Sequence, residues 1–366
     1  MDLLELETPC LLIDLDKMET NLAWMQNQAQ KHGVGLRPHI KAHKIPELAL
    51  QQMSLGAIGV TAAKVSEAEV MAEAGIKDIF IANQVVAQNK LRRLAALARK
   101  AKVSVGLDSL EGAKALSSVF KAEGLEVDFL IEINSGLNRC GVLPGEPALE
   151  LCLAVKDLPA IRFKGLFTHA GQVYGQSSLA GVSQVSRLES QVMAETARLF
   201  GQHGLAPEVV SVGSTPTMKV WTGQPGITEI RPGNYIFHDT IQLGLGTAKL
   251  EECALSLLAT VISRPEANRA VIDAGAKSLA LDKGGHGQEI VKSFGLILGK
   301  QATIERLSEE HGVVALAPGE SLAVGETIRI IPNHACPVIN LFDRAYGIRR
   351  DRVEKEFKIA GRGKVE

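Results

Sequence analysis

From about residue 35 to 237 the chain repeats one beat: a short apolar run rich in Val, Ile and Phe, then a longer Ala/Leu/Glu/Lys segment. Eight such runs can be marked off. They are "LRPHIKA" (36–42), "IGVTAA" (58–63), "DIFIAN" (78–83), "VSVGLD" (103–108), "VDFLIEI" (127–133), "FKGLFTH" (163–169), "VVSVGS" (209–214) and "ITEIRPG" (227–233). The segments between them read as helices. "LRRLAALARKA" sets Leu91, Leu94 and Ala98 on one face with Arg and Lys opposite. "SEAEVMAEAG" carries Ser66 and Glu69 at capping-box spacing and ends at Gly75. Eight strand–helix units with no long linker predict an α/β fold, a (β/α)8 TIM-like barrel. An open doubly wound sheet competes, but eight near-even units close naturally.

After about residue 245 the texture changes to strand signals broken by Gly and Pro, with few helical periods. The barrel is therefore assigned to residues 8–245 and a mainly β domain to 246–366, with residues 1–7 free to add a strand. The tail "RRDRVEKEFKIAGRGK" alternates charges and reads as a terminal strand, a helix or a frayed end. A net charge of −1 and 4% aromatic residues supply neither the basic patch nor the stacking platforms of a nucleic-acid binder. No apolar run is long enough for a membrane span. The start "MDLLELETPC" is acidic and unlike a signal peptide. The five cysteines are odd in number and widely spaced, as in a reduced, cytoplasmic chain.

In a barrel of this kind chemistry collects where the strands end. The first run continues into "RPHIKAHK". On a strand, Arg37, His39, Lys41 and His43 would share one face, and Lys41 would stand at the barrel mouth. Burial and nearby cations would lower its pKa and make a nucleophilic amine. The fifth run leads to Arg139 and the sixth to His169 and Tyr174. The seventh ends in Gly213, Ser214 and Thr215, and the eighth in Arg231, Gly233 and Asn234. Glycine and hydroxyl loops after strands seven and eight suit a phosphate. A lysine opposite a phosphate site points to a phosphorylated carbonyl cofactor, and pyridoxal 5'-phosphate fits. Arg231 or Arg139 reaching its ring nitrogen would restrain charge delocalisation into the ring.

The second domain supplies "PNHACP". His334 and Cys336 are two apart and would point the same way on a strand. Imidazole and thiolate together suit Zn²⁺, and two protein ligands leave positions open for a substrate. The Gly-rich stretch "LDKGGHGQE" (281–289) adds His286 as a second candidate, whereas Asp273 and Asp282 have no evident task.

These motifs, with "THAGQVYG", "VGSTPT", "IRPGNYIFHD", "IDAGAKSLALDKG", "SEEHG" and "PNHACPVINLFD" in that order, resemble the D-serine dehydratase and D-threonine aldolase family. Its members are pyridoxal-phosphate enzymes of the alanine-racemase fold type. The resemblance runs from about residue 7 to 345. It implies that Lys41, not Lys44, is the Schiff-base lysine, and that Lys41 and Tyr174 are catalytic. Ser214, Thr215, Gly233 and Asn234 match the phosphate cradle, and Arg139, His169, Tyr174 and Arg231 match positions around the ring. His334 and Cys336 match the metal ligands. In the dehydratases the pair is His and Cys with zinc. In the aldolases the second position is usually Asp, with a Mn²⁺-like ion. Cys336 thus tilts the expectation toward a D-serine dehydratase-like lyase of D-3-hydroxy amino acids. A D-threonine or 3-hydroxyaspartate aldolase is the alternative, and an amino-acid racemase a more distant one. The resemblance further implies a homodimer with a small D-amino acid as its only other partner. Arg37 and His39 are expected below Lys41, and His43 in the loop near the site.

Overall fold

The computed structural model describes residues 2–366. Its first strand, β1 (Cys10–Asp14), leads into α1 (Leu15–Lys31), and eight parallel strands follow: β2 (Gly35–Leu36), β3 (Val60–Ala62), β4 (Asp78–Gln84), β5 (Lys102–Leu107), β6 (Val127–Ile133), β7 (Ile161–Thr168), β8 (Val209–Val212) and β9 (Glu229–Ile230). The order around the sheet is β2-β9-β8-β7-β6-β5-β4-β3. Its edges meet through the Ile58 N–H to the Leu36 carbonyl (2.9 Å), the Thr61 N–H to the Pro38 carbonyl (2.8 Å) and a bridge between His39 and Thr61. The sheet thereby closes into the barrel. The strands alternate with α2 (Pro46–Ser54), α3 (Val65–Glu73), α4 (Gln88–Ala98), α5 (Leu110–Ala122), α6 (Glu146–Val155), α7 (Leu179–Gln202) and the short α8 (Thr215–Lys219), and α9 (Thr240–Gly244) comes after β9.

Helices cover the outside of the barrel and side chains fill its inside, so strands such as β6 are almost wholly buried, with Val127, Phe129, Ile131 and Ile133 on one face and Asp128, Leu130 and Glu132 on the other. α4 buries Leu91, Leu94, Ala95 and Leu97 and turns its arginines outward. Two local expectations fail. β2 stops at Leu36, because Pro38 cannot donate to a ladder and residues 40–42 wind into a 3-10 turn. α3 starts at the buried Val65, with Lys64 as an N-cap that makes no side-chain bond. Ser66 is thus already inside the first turn and donates its hydroxyl to the Glu366 carbonyl at 2.9 Å, while Glu69 pairs with Arg93 at 2.6 Å.

The second sheet contains β10 (Leu255–Glu266), β11 (Arg269–Ile272), β12 (Leu296–Ile297), β13 (Ala302–Leu307), β14 (Gly312–Leu316), β15 (Thr327–Ile331), β16 (Arg344–Arg349) and β17 (Arg352–Lys358), with α10 (Ala276–Leu279) and α11 (Ala335–Ile339) between strands. Its order is β11-β14-β13-β12-β15-β10-β1-β16-β17, and β11 pairs back onto β10 to close six of the strands into a small barrel. The N-terminal strand is Cys10–Asp14 rather than residues 1–7. It pairs antiparallel with β10 and parallel with β16. The charged tail forms the hairpin β16–β17 because alternate residues of β17 face solvent. One apolar core runs through both domains, from Leu36 and Val60 to Ile330 and Ile339. Each fully buried Leu or Ile in it contributes about 1.5–3 kcal/mol. Asn21 stitches the seam by donating to the Ile236 (3.2 Å) and Glu252 (2.8 Å) carbonyls. Among the described residues no helix is long and apolar enough to cross a membrane.

Candidate active site

A cavity of about 580 Å³ opens at the C-terminal ends of the barrel strands, with α11 and the Gly285–His286 segment of the β domain on its far wall. Lys41 lines it from the 3-10 turn after β2. His39 caps that turn: its Nδ1 accepts from the Lys41 N–H at 3.4 Å. The "RPHIKAHK" face therefore divides. Arg37 points to the opposite end of the barrel, where it pairs with Glu229 (2.7 Å) and Asp78 (2.5 Å). His39 and Lys41 face the cavity. His43 does not lie near the site: it is buried behind the turn against Gln52 (3.3 Å), which donates to the Tyr235 hydroxyl at 2.8 Å.

Burial lowers the Lys41 pKa, and Arg139 and Arg231 push the same way, while Cys336 and Glu67 resist. The amine is thus poised to lose its proton and attack a carbonyl. Burial, then Lys41, also holds His39 and His169 well below the usual imidazole range, so both rings are neutral. Arg231 is fixed from behind. It donates to the Ser211 hydroxyl and to the Thr168 carbonyl (2.5 Å), over the rings of Phe167 (5.3 Å) and Phe80 (5.8 Å). Arg139 stands at the rim, 48% exposed and 3.8 Å from Glu132, whose other oxygen accepts from Gln84.

Ser214 N-caps α8, and Thr215 Oγ1 accepts from the Tyr235 N–H at 2.9 Å, which ties the loops after β8 and β9 together. Gly233 packs so closely on the His39 carbonyl that a Cβ would lie 3.0 Å from it. The backbone N–H groups of Thr215, Gly233 and Asn234 have no partner among the described residues. These N–H groups and two hydroxyls make a cradle suited to an anion. Behind it the buried Glu189 accepts from the Gly213 N–H at 2.9 Å, and burial raises its pKa to about 7 despite that bond and Arg231.

His334 and Cys336 both line the cavity, but not as strand neighbours. His334 is the N-cap of α11 and Cys336 belongs to its first turn. His334 Nδ1 lies 3.4 Å from Asp282 Oδ1. Burial opposes charge on His334, yet Cys336, Asp282 and Asp239 raise its pKa to about 10. Those surroundings favour a positive charge, as a cation site requires. Among the described residues no cluster of three or more His, Cys, Asp or Glu side chains is arranged to hold a metal ion. The two-ligand pair fits an open, catalytic ion rather than a closed structural one.

Tyr174 packs between these walls, its ring 5.5 Å from that of His286, and burial raises its pKa. His286 sits at the mouth, 5.5 Å from His169. Lys41, Arg139, His169, Tyr174, Ser214, Thr215, Arg231, Gly233, Asn234, His334 and Cys336 thus border one cavity, whereas Arg37 and His43 do not. Sequence reasoning missed Glu132, Gln84, Glu189 and Asp239, and it named Asp282 without a task. Asp239 and Asp282 stood inside the quoted motifs, but nothing in their spacing named their partners.

The chain matches the family model described as Alanine racemase, N-terminal domain, over residues 13–240, and that of the Putative serine dehydratase domain over residues 254–348. It is 36% identical to a D-threonine aldolase of Arthrobacter sp, covering 99% of this chain and 94% of the relative. It superposes on the crystal structure of D-threonine aldolase from Filomicrobium marinum with a TM-score of 0.90 and 35% identity, over 100% of this chain and 98% of that one. The D-threo-3-hydroxyaspartate dehydratase from Delftia sp. HT23 superposes with a TM-score of 0.90 and 32% identity, over 98% of each chain. Two mutants of a D-threo-3-hydroxyaspartate dehydratase are also similar, one with a histidine changed to alanine and one with a cysteine two positions further on changed to alanine, the latter in the metal-free form.

Proposed function

The chain belongs to the alanine racemase N-terminal domain family, here followed by a serine dehydratase-type domain, and on that footing we propose that it is a pyridoxal-phosphate-dependent lyase of D-3-hydroxy amino acids. The observation that carries this reading is the meeting of Lys41 and the His334–Cys336 pair on opposite walls of one cavity. A racemase of the same barrel has no use for that pair.

The residues fit both groups. The Thr215, Gly233 and Asn234 N–H groups, with the Ser214 and Thr215 hydroxyls, would hold the cofactor phosphate, and Lys41 would carry the cofactor covalently. Arg231, the immobile arginine, suits the ring nitrogen, and His169 suits the ring face. His334 and Cys336 would hold a divalent ion, with Zn²⁺ favoured by the thiolate. When bound, the cofactor supplies an electron sink and the ion a Lewis acid for the β-hydroxyl. Lys41, its pKa lowered, would take the α-proton of the bound amino acid. Tyr174 and His286 screen that amine from solvent at the mouth, and Arg139 at the rim attracts the carboxylate of the incoming amino acid.

Cys336 favours elimination of water, giving a 2-keto acid and ammonia. Support comes from the similarity to a D-threo-3-hydroxyaspartate dehydratase, 32% identical over 98% of each chain. The 36% identity to a D-threonine aldolase favours a second reading, cleavage to glycine and an aldehyde. D-threonine with Zn²⁺ or Mn²⁺ separates the two: 2-oxobutanoate with ammonia supports the dehydratase, and glycine with acetaldehyde the aldolase. Turnover of D-alanine to its enantiomer, with none of D-threonine, D-serine or D-3-hydroxyaspartate, would overturn both. The five unpaired cysteines support a reducing, cytoplasmic compartment. A homodimer is proposed from the family resemblance, and sedimentation of the purified chain tests it.

A further inference from the structure

Asp239 closes the run "IRPGNYIFHD", is fully buried and does not border the cavity. Its Oδ2 accepts two hydrogen bonds, from Asn234 Nδ2 at 2.5 Å and from the Ala335 N–H at 2.9 Å. Its Oδ1 accepts from the Gln242 N–H at 3.1 Å. Asn234 belongs to the anion cradle, and Ala335 lies between His334 and Cys336. One carboxylate oxygen therefore receives an N–H from each of two centres built by different domains. The backbones around it are zipped together. The Thr240 N–H donates to the Pro332 carbonyl (3.1 Å), the Ile241 N–H to the Asn333 carbonyl (3.2 Å), and the Thr240 hydroxyl to Asn333 Oδ1 (2.7 Å).

We propose that Asp239 is a positioning residue that couples the cofactor cradle to the metal pair, so that occupancy of either tightens binding at the other. The proposal rests on the cofactor and metal reading above. Its logic is geometric. Asn234 cannot leave its place without releasing the oxygen that holds the first N–H of α11, and α11 carries both metal-ligand candidates. Ordering the cradle around a phosphate thus orders His334 and Cys336, and the reverse holds by thermodynamic reciprocity.

The test measures binding rather than turnover. The full-length chain is titrated with pyridoxal phosphate by absorbance, once with Zn²⁺ and once with a chelator. Zn²⁺ affinity is measured in the reverse experiment by chelator competition, with and without the cofactor. In the unaltered chain each group should tighten the other by the same factor, of the order of five- to 150-fold for coupled sites. Asp239→Ala removes the shared acceptor and should bring that factor to about one. Thr240→Val loosens the same seam without touching Asp239 and should leave the factor intact, which separates coupling from general destabilisation. If Asp239→Ala fails to fold, Ala335→Pro removes only the N–H at the first helical position, where proline is tolerated, and should also abolish the factor. An undiminished factor in folded Asp239→Ala or Ala335→Pro, a lost factor in Thr240→Val, or none in the unaltered chain while both groups bind, overturns the proposal and leaves the proposed function standing. If the unaltered chain binds no cofactor or no Zn²⁺, the function falls and the coupling with it.

Discussion

Replacing Glu67 by Gln should destabilise the chain and disturb the turn that carries Lys41. Glu67 Oε1 lies 3.0 Å from Lys44 Nζ, with side chains only 2% and 8% exposed. Its Oε2 accepts from the Ala63 N–H at 2.8 Å. Lys44 has little freedom to respond. Its φ is +55°, its carbonyl accepts from the Gly361 N–H at 2.9 Å, and even a Cβ on Gly361 would lie 3.0 Å from the lysine Cβ. Glu67→Gln leaves the Lys44 ammonium buried without its counter-charge, and breaking a buried pair from one side costs about 3–5 kcal/mol. Lys41 should feel the change as well. Glu67 is one of the groups that raise its pKa, so the variant's Lys41 should lose its proton at lower pH than before. Urea unfolding of the full-length variant reads the first effect, and the pH dependence of Schiff-base absorbance with pyridoxal phosphate reads the second. Lys44→Met combined with Glu67→Gln removes both charges, keeps an acceptor for the Ala63 N–H and should recover most of the stability. A loss below about 1 kcal/mol, the range of an exposed ion pair, would refute the reasoning. So would a double variant no more stable than Glu67→Gln.

Lys41→Ala should abolish the Schiff-base absorbance of the cofactor-treated chain, and retained absorbance would assign the cofactor to another lysine. Chelation, or His334→Ala, should raise the barrier on D-threonine by about 3 kcal/mol, a rate loss of roughly a hundredfold; steady-state rates with and without added Zn²⁺ decide it. Asp282→Asn weakens the support of His334 and should lower Zn²⁺ affinity by about 10–100-fold in a chelator competition. Glu189 has a folded pKa raised from an ordinary 4.5 to about 7, so it contributes stability below about pH 4.5 that is lost as pH rises through 7. A change of that size corresponds to roughly 3 kcal/mol. Glu189→Gln should flatten urea stability between pH 5 and 8, and an unchanged pH profile would show that the carboxyl is not the cause.

The barrel was legible because its evidence is repeated. Eight apolar runs with helical periods between them survive an error in any one, and the first run was such an error. "RPHIKAHK" alternates as a strand should, yet Pro38 ends the ladder and the chain turns at Ile40. Lys41 still reaches the cavity, because a short turn after a strand also ends at the barrel mouth. His334 and Cys336 survive a wrong backbone for a similar reason: two residues apart can share a direction on a strand or around a helix N-cap. Spacing therefore recovers side chains that act within their own segment. It fails for those whose task is set by a partner elsewhere. Asp282 meets His334 across 52 residues, and Asp239 meets Ala335 across 96. In sequence each is one more aspartate beside a turn. A carboxylate that receives donors from two domains looks no different from a solvated one until the domains have met, and Asp239, which joins the Asn234 loop to the His334–Cys336 turn, is of that kind.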